Sequence, residues 1–158
     1  MDNHKHLIER FYTSFQNLDS AGMVNCYHDD VLFYDPVFRD LRGEEAKSMW
    51  KMLCKTAKSF KLEFSDVKAE DEYGTCRWTA SYLFSQTGSQ VVNHCKARFK
   101  FSDGLIIEHF DDFSTWNWAR QALGIKGLLL GWSPMVRNKM TKTAKRNLEL
   151  YMKRYSNR

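Results

Sequence analysis

The apolar residues of this chain change their spacing near Lys61, and that change sets the architecture. Before it they recur at steps of three and four. Leu7, Ile8, Phe11, Phe15 and Leu18 form the stripe of an amphipathic helix ending near Asp19. Ser20 suits the N-cap of a short second helix carrying Met23, Val24 and Tyr27, closed by Asp29-Asp30. Val31, Leu32, Phe33 and Tyr34 favour a strand. After Gly43 a third helix is predicted, with Glu44 and Glu45 in its first turn and Ala46, Met49, Trp50, Leu53, Cys54 and Ala57 as its stripe.

From Lys61 the period is two. Leu62 and Phe64 open a strand toward Glu70, and Glu72-Tyr73-Gly74 reads as a turn. Cys76 to Phe84 follows, with Trp78, Ala80, Tyr82 and Phe84 on one face, then a turn at Gln86-Thr87-Gly88-Ser89. The strand from Val91 to Phe101 sets Lys96, Arg98 and Lys100 against Cys95, Ala97, Phe99 and Phe101. Ser102-Asp103-Gly104 is a hairpin signal, and the last strand runs from Leu105 to Phe113. Three helices followed by an antiparallel meander predict an α+β fold.

Beyond the meander, Ser114 or Thr115 starts a helix holding Trp116, Trp118, Ala119, Ala122 and Leu123, stopped by Gly124. An apolar loop, Gly127-Leu128-Leu129-Leu130-Gly131-Trp132, leads to Ser133-Pro134. A last helix then carries Val136, Met140, Ala144, Leu148, Tyr151 and Tyr155 on one side. Residues 134–158 hold eight basic side chains and one acid, Glu149, a net +7 that leaves −2 for the rest of a chain totalling +5. A nearly neutral body, residues 1–124, thus carries an appended basic segment, residues 125–158. Two readings of the segment stand side by side. It is a peripheral element for an anionic membrane surface through residues 128–158, or a lid over the body or a dimer seam, with the lysines as its wet face. Nucleic acid is not an expected partner, because the helix lacks interleaved exposed aromatics.

A length of 158 residues fits one domain, and 43% hydrophobic residues with 15% aromatics supply a core. Cys26, Cys54, Cys76 and Cys95 form no CxxC pair, which argues against a zinc ribbon or redox motif. Met1–His6 lacks the apolar core of a signal peptide, and no apolar run approaches the ~20 residues of a membrane span. A reducing cytoplasm is the expected home.

The candidate chemistry begins at Asp35, a carboxylate at a strand end between Tyr34 and Pro36, with Phe33 and Phe38 nearby. Burial among aromatics raises a carboxyl pKa and makes a weak general base. Asp-Pro also opens turns, so Asp35 has a purely structural reading as a turn cap. On the last strand His109 and Asp111 share a face.

Tyr34-Asp35-Pro36-Val37-Phe38 through Leu41-Arg42-Gly43, Phe101-Ser102-Asp103-Gly104-Leu105-Ile106 and Glu108-His109-Phe110-Asp111-Asp112-Phe113 together resemble the SnoaL-like branch of the nuclear transport factor 2 superfamily. Ketosteroid isomerase, limonene epoxide hydrolase and polyketide cyclases share that fold. The resemblance covers roughly residues 5–124. It implies a curved antiparallel sheet wrapped as a cone on the N-terminal helices, a mostly apolar pocket for a small lipophilic molecule, and a homodimer. It implies isomerase, cyclase or hydrolase chemistry without a cofactor or metal, with Asp35 as base. The alternative is a non-catalytic protein that binds a small hydrophobic ligand.

The isomerase's oxyanion-hole tyrosine falls on Phe11, with Tyr12 beside it, and its acid falls on Cys95 or Ala97. Steroid isomerisation is therefore not the expected reaction. The Asp–Arg–Asp cluster of the epoxide hydrolases would need Asp111 and an arginine, for which Arg77 and Arg39 are the candidates. The same alignment turns His109 and Asp111 inward as an acid–base set. The opposing reading turns Ile106 and Phe110 inward and leaves His109 in solvent. His94 is in phase with the lysines and is expected to face away. Tyr12, Phe15, Trp50, Trp78, Tyr82, Phe99 and Phe113 are the expected substrate-contacting residues, each of which also reads as core.

Overall fold

The computed structural model describes residues 2–130 and 133–156. Helix α1 (Asp2–Gln16) buries Leu7, Ile8, Phe11 and Phe15 of the predicted stripe together with Tyr12, and ends before Leu18. Helix α2 (Ser20–Val24) is capped by Asp19, one residue before the expected Ser20, and the Asp19 side chain accepts from the Gly22 amide at 3.0 Å. Strand β1 (Tyr27–Asp35) starts where the sequence predicts helix. Tyr27, Asp29 and Asp30 belong to the strand because the Ile106 amide donates to the Cys26 carbonyl at 2.9 Å and draws the chain alongside the last strand. After a turn at residues 36–38, strand β2 (Arg39–Arg42) folds back on β1, a hairpin that the sequence reading leaves out.

Helix α3 (Glu44–Thr56) follows Gly43, which adopts φ +54°. The meander is β3 (Lys61–Glu70), β4 (Tyr73–Phe84), β5 (Ser89–Ser102) and β6 (Leu105–Asp112). Gly74 lies within β4 rather than in a turn. A Cβ there would sit 2.8 Å from Ile8 Cδ1 and 3.0 Å from the Phe101 ring, so the missing side chain lets α1 reach the sheet.

The six strands form one open sheet in the order β2-β1-β6-β5-β4-β3. The meander is antiparallel as predicted, while β1 runs parallel to β6, so the sheet is mixed. Register shifts interrupt the β1–β6, β3–β4 and β5–β6 ladders, and bulges of this kind bend strands. The sheet curves around α1 and α3, and the aromatic core fills the concave side.

Helix α4 (Thr115–Leu123) is capped by Ser114, whose hydroxyl accepts from the Asn117 amide at 3.1 Å. The β5–β6 ladder stops at Lys96, so Ser89–Cys95 of β5 extend past their neighbour. There Gln121 accepts from the Val92 amide at 2.9 Å and donates to the Val92 carbonyl at 3.0 Å. Part of the predicted apolar loop is helix α5 (Ile125–Leu130), while Gly131 and Trp132 lie outside the described residues. Helix α6 (Pro134–Tyr155) packs on α3 through Leu148, with Ala144 and Met152 against the core. Arg39 donates to Asn138 at 2.8 Å, which ties α6 to the turn after β1.

Gly127 is where α5 meets α4. A Cβ at this position would lie 1.9 Å from the Ala119 carbonyl oxygen, a backbone atom that cannot move aside alone. Gly127→Ala is therefore expected to lift α5 off α4. Hydrogen exchange should accelerate across residues 119–130, while β4–β6 keep their protection. Unchanged exchange in α5 would show that the contact is not a constraint.

Candidate active site

Asp35 ends β1 facing the core and is buried. Pro36 turns the chain, and Asp35 Oδ1 accepts from the amides of Val37 at 2.8 Å and Phe38 at 2.6 Å. The turn-cap reading is thus correct as geometry. The carboxyl is nonetheless pushed up to about 7. Burial is the main cause; the nearby Asp111 charge adds to it, and the Phe38 and Val37 amides offset only part. Asp35 is thus a turn cap whose carboxyl changes charge near neutrality.

His109 and Asp111 face inward from β6, and so does Ile106. Strict alternation forbids this combination. It occurs because Lys100 pairs with Glu108 while Phe101 pairs with Ile106, leaving Ile107 as an extra residue that resets the phase. Phe110 sits on the outer face, where Arg98 lies over its ring.

His109 is fully buried, and both ring nitrogens are partnered. Nδ1 lies 2.7 Å from the Tyr27 hydroxyl, and Nε2 lies 2.9 Å from Asp111 Oδ1. Trp50 Nε1 donates to the same Tyr27 oxygen at 2.7 Å. Trp78 Nε1 donates to Asp111 Oδ1 at 3.4 Å. One donor order satisfies every group: Trp50 to Tyr27, Tyr27 to His109 Nδ1, and His109 Nε2–H to Asp111. The rings of Phe11, Phe33, Trp50 and Phe99 surround the imidazole, with Phe99 nearest at 4.5 Å between centroids.

The Tyr12 hydroxyl points into the same interior and, among the described residues, is the one buried side-chain oxygen or nitrogen without a hydrogen-bond partner. Burial, and then the charge of Asp111, holds its pKa well above the usual phenol range. The Cys95 thiol is pushed up by burial and by Asp111, and Cys76 is pushed up to about 12, mainly by burial.

The remaining predicted contacts separate by depth. Phe15, Trp50, Trp78 and Phe99 are buried, with Phe15 packed edge-on against Trp50 and Trp78. Tyr82 and Phe113 are half-buried at the rim of the core, and the Tyr82 hydroxyl accepts from Trp118 Nε1 at 2.6 Å. His94 faces outward beside Thr79, as its phase predicts. Neither candidate arginine joins the acids. Arg77 lies on the outer face 3.5 Å from Asp66, and Arg39 bonds Asn138. A groove of about 380 Å³ lies on that outer face among Asp66, Lys68, Arg77, Lys96 and Arg98, away from the aromatic interior.

Sequence reasoning misses Tyr27, because it places that residue on a helix. Its pairing with Ile106 across a parallel ladder is a long-range event with no local signal.

Comparison with curated proteins gives no match. Solved structures share the fold. TsrD from Streptomyces laurentii aligns with a TM-score of 0.66 at 20% identity, over 77% of this chain and 95% of that one. An LEH-like epoxide hydrolase of M. tuberculosis aligns with a TM-score of 0.66 at 18% identity, over 81% and 93%. A protein of ketosteroid isomerase-like fold from Catenulispora acidiphila DSM 44928, in complex with trimethylamine, gives 0.66 at 12% identity, over 81% and 97%. Residues 8–109 match the model of the SnoaL-like domain, and the chain belongs to that family, within the nuclear transport factor 2-like superfamily.

Proposed function

We propose that this protein is an acid–base enzyme acting on a small lipophilic molecule, with Asp35 as the general base and the His109–Asp111 pair as its electrostatic partner. The observation that carries this reading is the convergence of two buried carboxyls, a buried histidine and an unpartnered tyrosine hydroxyl inside an otherwise aromatic core. Proton transfer is most effective when the group's pKa lies near the working pH, which the environment of Asp35 supports. The aromatic side chains packed around these groups favour an apolar substrate, and exclusion of water strengthens charges within. The second reading is a non-catalytic carrier of a hydrophobic ligand. It is favoured by the complete pairing of His109, which leaves neither ring nitrogen free in this state.

Native mass spectrometry of the protein purified from its own host is the first test, followed by turnover assays on any retained molecule. Asp35→Asn should bind that molecule and turn it over about 100- to 10,000-fold more slowly. The wild-type rate should rise with pH through an apparent pKa near 7. Retention without turnover by the wild type would select the carrier reading, and equal turnover by Asp35→Asn would remove Asp35 as base.

Stability carries a separate signature. Because the folded pKa of Asp35 lies above its ordinary value of 3.8, the folded protein takes up a proton that the unfolded chain releases. Its favourable contribution is complete below about pH 4 and is lost as pH rises through about 7. The melting temperature of Asp35→Asn relative to wild type should therefore increase from about pH 5 to about pH 8. A difference independent of pH would mean that Asp35 is not held neutral by the fold.

A further inference from the structure

The interior site leaves the outward face of α6 unexplained. Met135, Lys139, Lys142, Arg146, Leu150 and Lys153 recur at steps of three and four along that helix, and all six are exposed. They lie opposite the side that Leu148 and Ala144 pack against α3 and the core. None of the four cations forms an ion pair among the described residues. Glu149 is the helix's one acid. Within this cationic stripe, Met135 is 80% and Leu150 56% exposed. Just upstream, Ile125, Leu128 and Leu129 of α5 also project into solvent.

We propose that the outer face of α6 docks on an anionic lipid bilayer, with the helix lying flat on the surface. The cations match lipid phosphates, and Met135 and Leu150 enter the boundary between headgroups and acyl chains. No helix among the described residues is long and apolar enough to cross a membrane. A nucleic acid would satisfy the cations but offer nothing to the two apolar side chains, and its bases would need aromatic platforms. The helix's aromatics are placed elsewhere: Tyr151 packs on Tyr155, and Lys55 of α3 donates to the Tyr155 hydroxyl. The Arg39–Asn138 bond places the turn that holds Asp35 beside the same helix.

Flotation of the full chain with mixed phosphatidylglycerol–phosphatidylcholine vesicles tests the proposal, with duplex DNA as a competitor. Binding is expected on anionic vesicles, absent on pure phosphatidylcholine, and weakened by salt. Replacing Lys139, Lys142, Arg146 and Lys153 by Gln should weaken it about fivefold for each charge removed. Met135→Ser combined with Leu150→Ser should weaken it about tenfold. Circular dichroism should show both variants folded, since all six side chains are exposed. The proposal is overturned by no binding at low salt, by vesicle binding that neither variant changes, or by DNA outcompeting the vesicles with no effect of the Met135 and Leu150 changes.

Discussion

A histidine without solvent contact must find partners for both ring nitrogens, and at His109 that requirement binds the fold together. Tyr27 from β1, Trp50 from α3 and Trp78 from β4 all reach the His109–Asp111 pair of β6, Trp50 by way of the Tyr27 hydroxyl. Four elements distant in sequence are held in register by one chain of donors and acceptors. An apolar replacement of one member would strand its neighbours without partners, at a cost of about 1–3 kcal/mol for each buried group. The aromatic rings around the imidazole keep water out, so the network must satisfy itself.

The parts of the fold that depend on local pattern are legible in the chain. The stripes of α1 and α3, the inward face of β5 and the start of α6 at Pro134 follow from spacing and from the proline in the first turn. What is not legible depends on pairing between distant segments. The β1–β6 ladder turns Tyr27 from a helical residue into a strand residue. The extra residue at Ile107 lets Ile106 and His109 both face inward, whereas period-two reasoning forces a choice between them.

Asp35 shows a different limit. Turn cap and buried carboxyl with a raised pKa look like alternatives in the sequence, and the geometry makes them one arrangement. The amides of Val37 and Phe38 fix Oδ1 while burial sets the charge equilibrium. A cap on the surface would be an ordinary carboxylate; the same cap, buried, holds its proton to about pH 7.

Gln121 has a consequence for how the last third of the chain finds its place. Its side-chain amide offers the same N–H and C=O pair as a peptide group, and it meets the free edge of β5 at Val92 through both. In effect the helix lends the sheet a single rung of a seventh strand. That rung works as a register mark: sliding α4 by one residue would present Arg120, which has no acceptor, or Ala122, which has neither. Beside the Trp118–Tyr82 and Thr87–Ala122 bonds, the docking of α4 is thus marked by one side chain that imitates backbone.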